Sequence, residues 1–197
     1  MTKLFLLLGL VACISNAQIT PYAPPPDAYS ITELNSMFTP NLTMTIVRDG
    51  NRALMDQMAP PSQKNPKGFH TKTYLELPGG KTYTIDVLNP SAPCRVGSAQ
   101  LEWSDPFALS AQLHKQLDVR VRKDRVGEPI NGIPSHLVIM PQLNAWLELK
   151  HGLILKLETQ KKEGMVKMIE VQKMSFAKPP AGVLEIPPSC RSGINAW

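Results

Sequence analysis

The 197-residue chain is short of aromatic side chains, of cysteine and of long apolar runs. After residue 17 no stretch is apolar for long enough to cross the roughly 30 Å of a bilayer as a helix. Signatures of chemistry are missing too. There is no Gly-x-Ser-x-Gly elbow: Val96-Gly97-Ser98-Ala99 lacks the second glycine and the strand–turn–helix setting of a nucleophile. His70, His114, His136 and His151 are scattered, with no two at helix-face or metal-ligand spacing, so no metal site is expected. Glu102 and Asp105 lie near one another, but Asp105 already serves as a helix cap. Pro78-Gly79-Gly80 joins two strands and opens no helix, which removes it as a phosphate cradle. A net charge of +5 is too mild to indicate a nucleic-acid surface. These absences argue against an enzyme and imply no cofactor.

What is present begins with an export signal at residues 1–17. Lys3 supplies a positive start, Leu4–Ala12 an apolar core, and Ser15 and Ala17 the small residues a signal peptidase needs before Gln18. Leu10-Val11-Ala12-Cys13 also resembles a lipobox, so acylation of Cys13 is the alternative maturation. The exported chain then holds Cys94 and Cys190. In an oxidising compartment two such cysteines pair, and two free buried thiols are the other reading. The expected location is the periplasm or outer envelope, with a lipid anchor if Cys13 is acylated.

Residues 18–29 form a Pro-rich tether, residues 30–190 one domain of a size that can bury a core, and residues 191–197 a tail. Ser30 and Glu33 match a capping box, which predicts a short helix with Ile31, Leu34 and Phe38 on one face. From residue 41 the period becomes two. Strands are expected at 41–48, 52–58, 70–77 and 81–88, with hairpins at Asp49-Gly50 and Pro78-Gly79-Gly80. Residues 95–103 are a less regular candidate.

Asp105 then caps a helix that begins at Pro106 and repeats Leu109, Leu113 and Leu117. Strands resume at 118–125, 135–140, 145–150, 153–160 and 165–176, and residues 179–188 close the domain. The sum is eight or nine antiparallel strands and two helices. This predicts a mainly β (α+β) fold: a curved antiparallel meander forming an incomplete barrel, with one or two helices as lid.

Three smaller features complete the reading. In a strand over 118–125, Arg120 and Arg122 share a face and could dock an anionic partner, although charge on an edge strand also simply discourages aggregation. Asn41-Leu42-Thr43 is a glycosylation sequon, meaningful only in a eukaryotic protein. The terminal Trp197 is not preceded by the alternating strand of an outer-membrane barrel.

Four stretches carry a family resemblance: Thr45–Gly50, Asn131-Gly132-Ile133-Pro134, Ala145–Lys156 and Val183–Pro188. Their order resembles exported bacterial proteins of the lipoprotein-carrier type (LolA/LolB-like). The resemblance implies an incomplete β-barrel with a helical lid that encloses apolar groups, typically acyl chains, and it brings no catalytic residues. The implied function is binding of a lipid or a lipidated envelope partner in the concave face. Candidate lining residues are Met44, Ile46, Tyr83, Ile85, Trp146, Leu153, Leu155 and Leu157. The rival is a structural or protein-interaction module with a fully packed barrel.

Overall fold

The computed structural model describes residues 22–36, 42–63, 65–98, 105–120 and 123–191, with backbone alone for 116–120 and 123–124. The signal segment, Cys13, the sequon's Asn41 and Arg122 lie outside the described residues.

Short alternating segments separated by tight turns build one antiparallel sheet of eleven strands, curved and not closed into a barrel. The strands are β1 (Ala28–Asn35), β2 (Leu42–Asp49), β3 (Arg52–Ala59), β4 (Phe69–Glu76), β5 (Lys81–Asp86), β6 (Arg95–Ser98), β7 (Lys123–Val126), β8 (Ser135–Met140), β9 (Leu143–Glu148), β10 (Ile154–Lys161) and β11 (Gly164–Ser175). Their spatial order is β6-β5-β4-β3-β2-β1-β11-β10-β9-β8-β7. Two meanders therefore run outward from a seam where β1 pairs with β11. Helix α1 (Pro106–Arg120) lies in sequence between the two edge strands, and α2 (Pro188–Arg191) is a single turn at the C-terminal end.

The turns form where the residues permit. Asp49 and Arg52 pair across the β2–β3 hairpin while Gly50 takes φ +57°. At the β4–β5 hairpin a Cβ on Gly80 would collide with the Glu76 carbonyl, so only glycine fits there.

Three expectations fail. The helix expected from Ser30 is strand β1, in which Tyr29, Ile31, Glu33 and Asn35 are buried in strict alternation. A capping box offers a few local hydrogen bonds, whereas this segment is paired along its length with β2 on one side and β11 on the other. The strand expected over 118–125 is also overturned. Helix α1 continues through Arg120, and β7 is confined to Lys123–Val126. Arg120 thus ends a helix rather than lying in the expected strand, and Arg122 lies outside the described residues. Lastly, the described residues hold eleven strands where eight or nine were expected, and of their two helices one is a four-residue turn.

The Pro-rich segment is packed at its described end. Ala23 N–H donates to the Lys150 carbonyl at 2.8 Å, and the Tyr22 ring stacks on His114 at 4.5 Å.

Candidate functional site

Strand register places side chains in rows across the sheet. On one face of the β1–β6 half runs Ile31, Ile46, Met55, Thr73, Thr84 and Arg95. A neighbouring row on that face is Glu33, Met44, Gln57, Thr71 and Asp86. Both rows start apolar or buried at the seam and turn polar toward the β6 edge.

Helix α1 sits on this face but covers only part of it. Its first turn is fixed at the seam by Asp105, whose Oδ1 accepts the Phe107 N–H at 2.8 Å and the Tyr29 hydroxyl at 3.3 Å. Arg48 Nη1 donates to Asp105 Oδ2 at 3.0 Å. Burial, and then the Asp105 charge, push the Tyr29 phenol well above its ordinary range, so it remains a donor. Farther along, Ser110 Oγ accepts the Ile154 N–H at 3.0 Å, tying the helix to β10. Leu113, with Leu109 beside it, packs on Val138, Met140, Ala145, Leu147, Ile154, Leu157 and Ile169. The helix therefore seals β8–β11.

A second brace lies beneath the helix start. Glu148 accepts the backbone N–H groups of Lys150 at 2.9 Å and His151 at 2.6 Å, closing the β9–β10 turn. The His151 ring sits 3.3 Å from that carboxylate, between Phe107 and Phe176. Glu148 and His151 thus join the β9–β10 turn to the helix start.

Over β3–β6 no described helix or segment lies on the same face. A depression of about 460 Å³ lies there, lined by Met55, Gln57, Phe69, Thr71, Thr73, Thr84, Arg95 and Val96. Thr73 and Thr84 share a hydroxyl hydrogen bond of 3.0 Å. The lining mixes thioether, aromatic ring, amide, hydroxyls and one guanidinium. Beside it, at the seam, Glu33 is 4% exposed and receives a 2.9 Å hydrogen bond from Asn35. Burial raises the pKa of Glu33, and the Asn35 donor opposes that only in part.

The opposite face of this half is closed by the C-terminal segment. Val47, Leu54, Tyr74 and Tyr83 form a cluster with Cys190, and Val183, Leu184 and Ile186 pack on it. The Cys94–Cys190 disulfide expected from the sequence is present, with Cα atoms 5.2 Å apart and a sequence separation of 96. In the β8–β11 half, Lys156 stands over Trp146 at 4.2 Å and bonds Glu158 at 2.9 Å. Burial would lower the Lys156 pKa, but hydrogen bonds and charges from Glu158 and Glu128 outweigh it and raise it.

The eight expected lining residues fall in three clusters of the described structure. Met44, Ile46, Trp146, Leu153 and Leu155 belong to the main core cluster, where Ile46 and Leu155 are wholly buried. Leu157 lies under the helix in the second cluster. Tyr83 and Ile85 are on the opposite face, beneath the C-terminal segment. Met44 and Met55 share the main core cluster and the same low exposure, and Met55 also lines the groove, where threonines, Gln57 and Arg95 join it. The signal that could have found the groove is the repeat Thr71-Lys72-Thr73 and Thr82-Tyr83-Thr84 in two strands of one hairpin. That repeat places Thr73 and Thr84 side by side on the groove face.

No family model matches the chain. No curated protein matches it either. Among solved structures it is similar to a chain in the crystal structure of MucB in complex with MucA(peri), at 14% identity and a TM-score of 0.34. The match covers 83% of this chain and 55% of that one, so this chain spans about half of that length. A likeness this weak carries no argument about function. The lipoprotein-carrier resemblance gains the open, helix-covered sheet it implied, and no family membership follows.

Proposed function

We propose that this chain is an exported, non-catalytic binding module that takes an acyl-chain ligand, free or carried by a lipidated partner, in the groove over β3–β6. The observation behind this reading is the groove itself. Helix and C-terminal segment cover opposite faces of opposite halves, leaving a groove whose floor is the buried Met55, Thr71 and Thr73 and whose accessible sides are half-buried Gln57, Phe69 and Thr84 and exposed Arg95 and Val96. A volume of about 460 Å³ falls in the range of small-molecule sites. Met55 is adaptable in shape, Phe69 offers a flat apolar surface, and Arg95 at the rim suits an anionic headgroup. Export is supported by the leader-like N-terminus and by the disulfide, which belongs to oxidising compartments.

Titration with cis-parinaric acid, a fluorescent fatty acid, tests this. Wild type should bind it saturably, and Thr84→Trp, which fills the half-buried groove, should lose at least tenfold in affinity with an unchanged melting temperature. A rival reading, a packed module that works only through its outer surface, is favoured by the wholly buried Ile46 and Leu155. Absence of saturable binding by wild type would establish that rival in place of the groove.

A further inference from the structure

The disulfide and the groove share one edge strand. Cys94 immediately precedes Arg95, and Arg95 and Val96 form the outer wall of the groove. Strand β6 ends the sheet and pairs with β5 alone, from Lys81↔Ser98 to Thr84↔Arg95. Its own side chains add little burial, since Arg95 is exposed and Val96 is 52% exposed. Short edge pairings of this kind are weakly held. What else fixes β6 is the covalent bridge to Cys190, which is 1% exposed and seated against Val47, Leu54, Tyr74 and Tyr83. The wall of the groove is thus fastened through the sheet's edge to the segment that covers the other face.

We propose that the Cys94–Cys190 disulfide is a redox-sensitive latch on the groove, an inference that rests on the groove being the binding site. Oxidised, the bridge holds β6 in place and keeps Arg95 at the rim. A dithiol reductant opens it. Its thiolate attacks the sulfur of half-buried Cys94, the S–S bond breaks, and Cys190 leaves as a thiolate that takes up a proton. The reductant's second thiol then displaces the Cys94 thiolate, which is protonated in turn, and the reductant departs as its own disulfide. Both β6 and the C-terminal cover are then fastened by noncovalent contacts alone, and the outer wall of the groove loosens.

The test pairs hydrogen exchange with cis-parinaric acid titration on the full exported chain, oxidised and after dithiothreitol. The latch requires that Val96–Ser98 amides exchange at least tenfold faster on reduction, by local opening that outpaces the rest of the sheet, while β1, β2, β10 and β11 exchange only at the rate set by global unfolding. Affinity should fall at least tenfold and return on reoxidation. Oxidised Arg95→Ala should lose affinity without any change in β6 exchange. Unchanged β6 exchange in fully reduced protein overturns the latch. So does a uniform rise in exchange across all strands, which would make the bridge a general staple. If oxidised wild type binds no fatty acid, the proposed function fails, and the β6 exchange still decides whether the bridge latches that edge.

Discussion

The two halves of the sheet use the same strand chemistry and solve burial in opposite ways. In the β8–β11 half, helix α1 lies on the face that carries Ala145, Leu147, Leu157 and Ile169, and that face is dry. In the β2–β5 half, the cover lies on the other face, over Val47, Leu54, Tyr74 and Tyr83. On the helix-side face there, the described residues leave a groove that runs from buried Met55 and Thr73 to half-buried Thr84 and exposed Arg95. Among the described residues, side-chain choice is least tied to packing at the exposed end of this groove, at Thr84, Arg95 and Val96.

The comparison can be broken by placing one charge in each half. Leu155 is wholly buried in the main core, so Leu155→Arg should fail to fold, as judged by circular dichroism. Thr84→Arg, in the open half, should fold with a melting temperature close to wild type. Equal tolerance at the two positions would erase the distinction between a dry half and an open one.

The next largest effect concerns the open half's outer cover. Replacing both Cys94 and Cys190 by alanine should cost about 4–5 kcal/mol in urea unfolding on the chain-entropy account of a loop this long, without abolishing the fold. Loss of under about 1 kcal/mol would show that the C-terminal segment stays in place by apolar contact alone.

Asp105→Ala sharpens the covered half. It removes the helix cap, the Arg48 ion pair and the Tyr29 hydrogen bond together, and should cost about 2–4 kcal/mol. Arg48→Ala should cost less, because Asp105 keeps its cap and the pair is partly screened by solvent. Urea melts of both variants check the order.

The smallest effect is a pH dependence at the seam. Burial raises the folded pKa of Glu33 above its unfolded value. Between those two values the folded state binds more protons than the unfolded one, so stability falls as pH rises through that window. Below the unfolded pKa the penalty is absent; above the folded pKa it is complete. Glu33→Gln should therefore be more stable than wild type at neutral pH and should lose this slope. Glu170 has the opposite sign, because Lys167 holds its carboxyl below the usual range. Its contribution is present above the unfolded pKa and lost as pH falls through the folded one.

Much of this architecture is legible in the sequence, and the misses have physical causes. Hairpins at Asp49-Gly50 and Pro78-Gly79-Gly80, the Asp105 cap with Pro106 behind it, and the Cys94–Cys190 pair all rest on local chemistry or on compartment. Strand β1 was obscured because Glu33 and Asn35 point into a buried row, which spoils its apolar alternation and completes a capping box by accident. The end of α1 was obscured by Val119, Val121 and their alternating arginines, which imitate a strand. The groove was obscured because threonines, Gln57 and Arg95 join Met55 in lining it, and a search by hydrophobicity passes over them.

The central claim is that ligand engages the open half and leaves the covered half untouched. Hydrogen exchange of the oxidised protein with and without saturating cis-parinaric acid tests it directly. The account predicts added protection at Met55, Thr73, Thr84 and Val96, with no change in α1, β8 or β10. Protection concentrated in α1 and β8–β10, with β3–β6 unchanged, would contradict it and place the site beneath the helix.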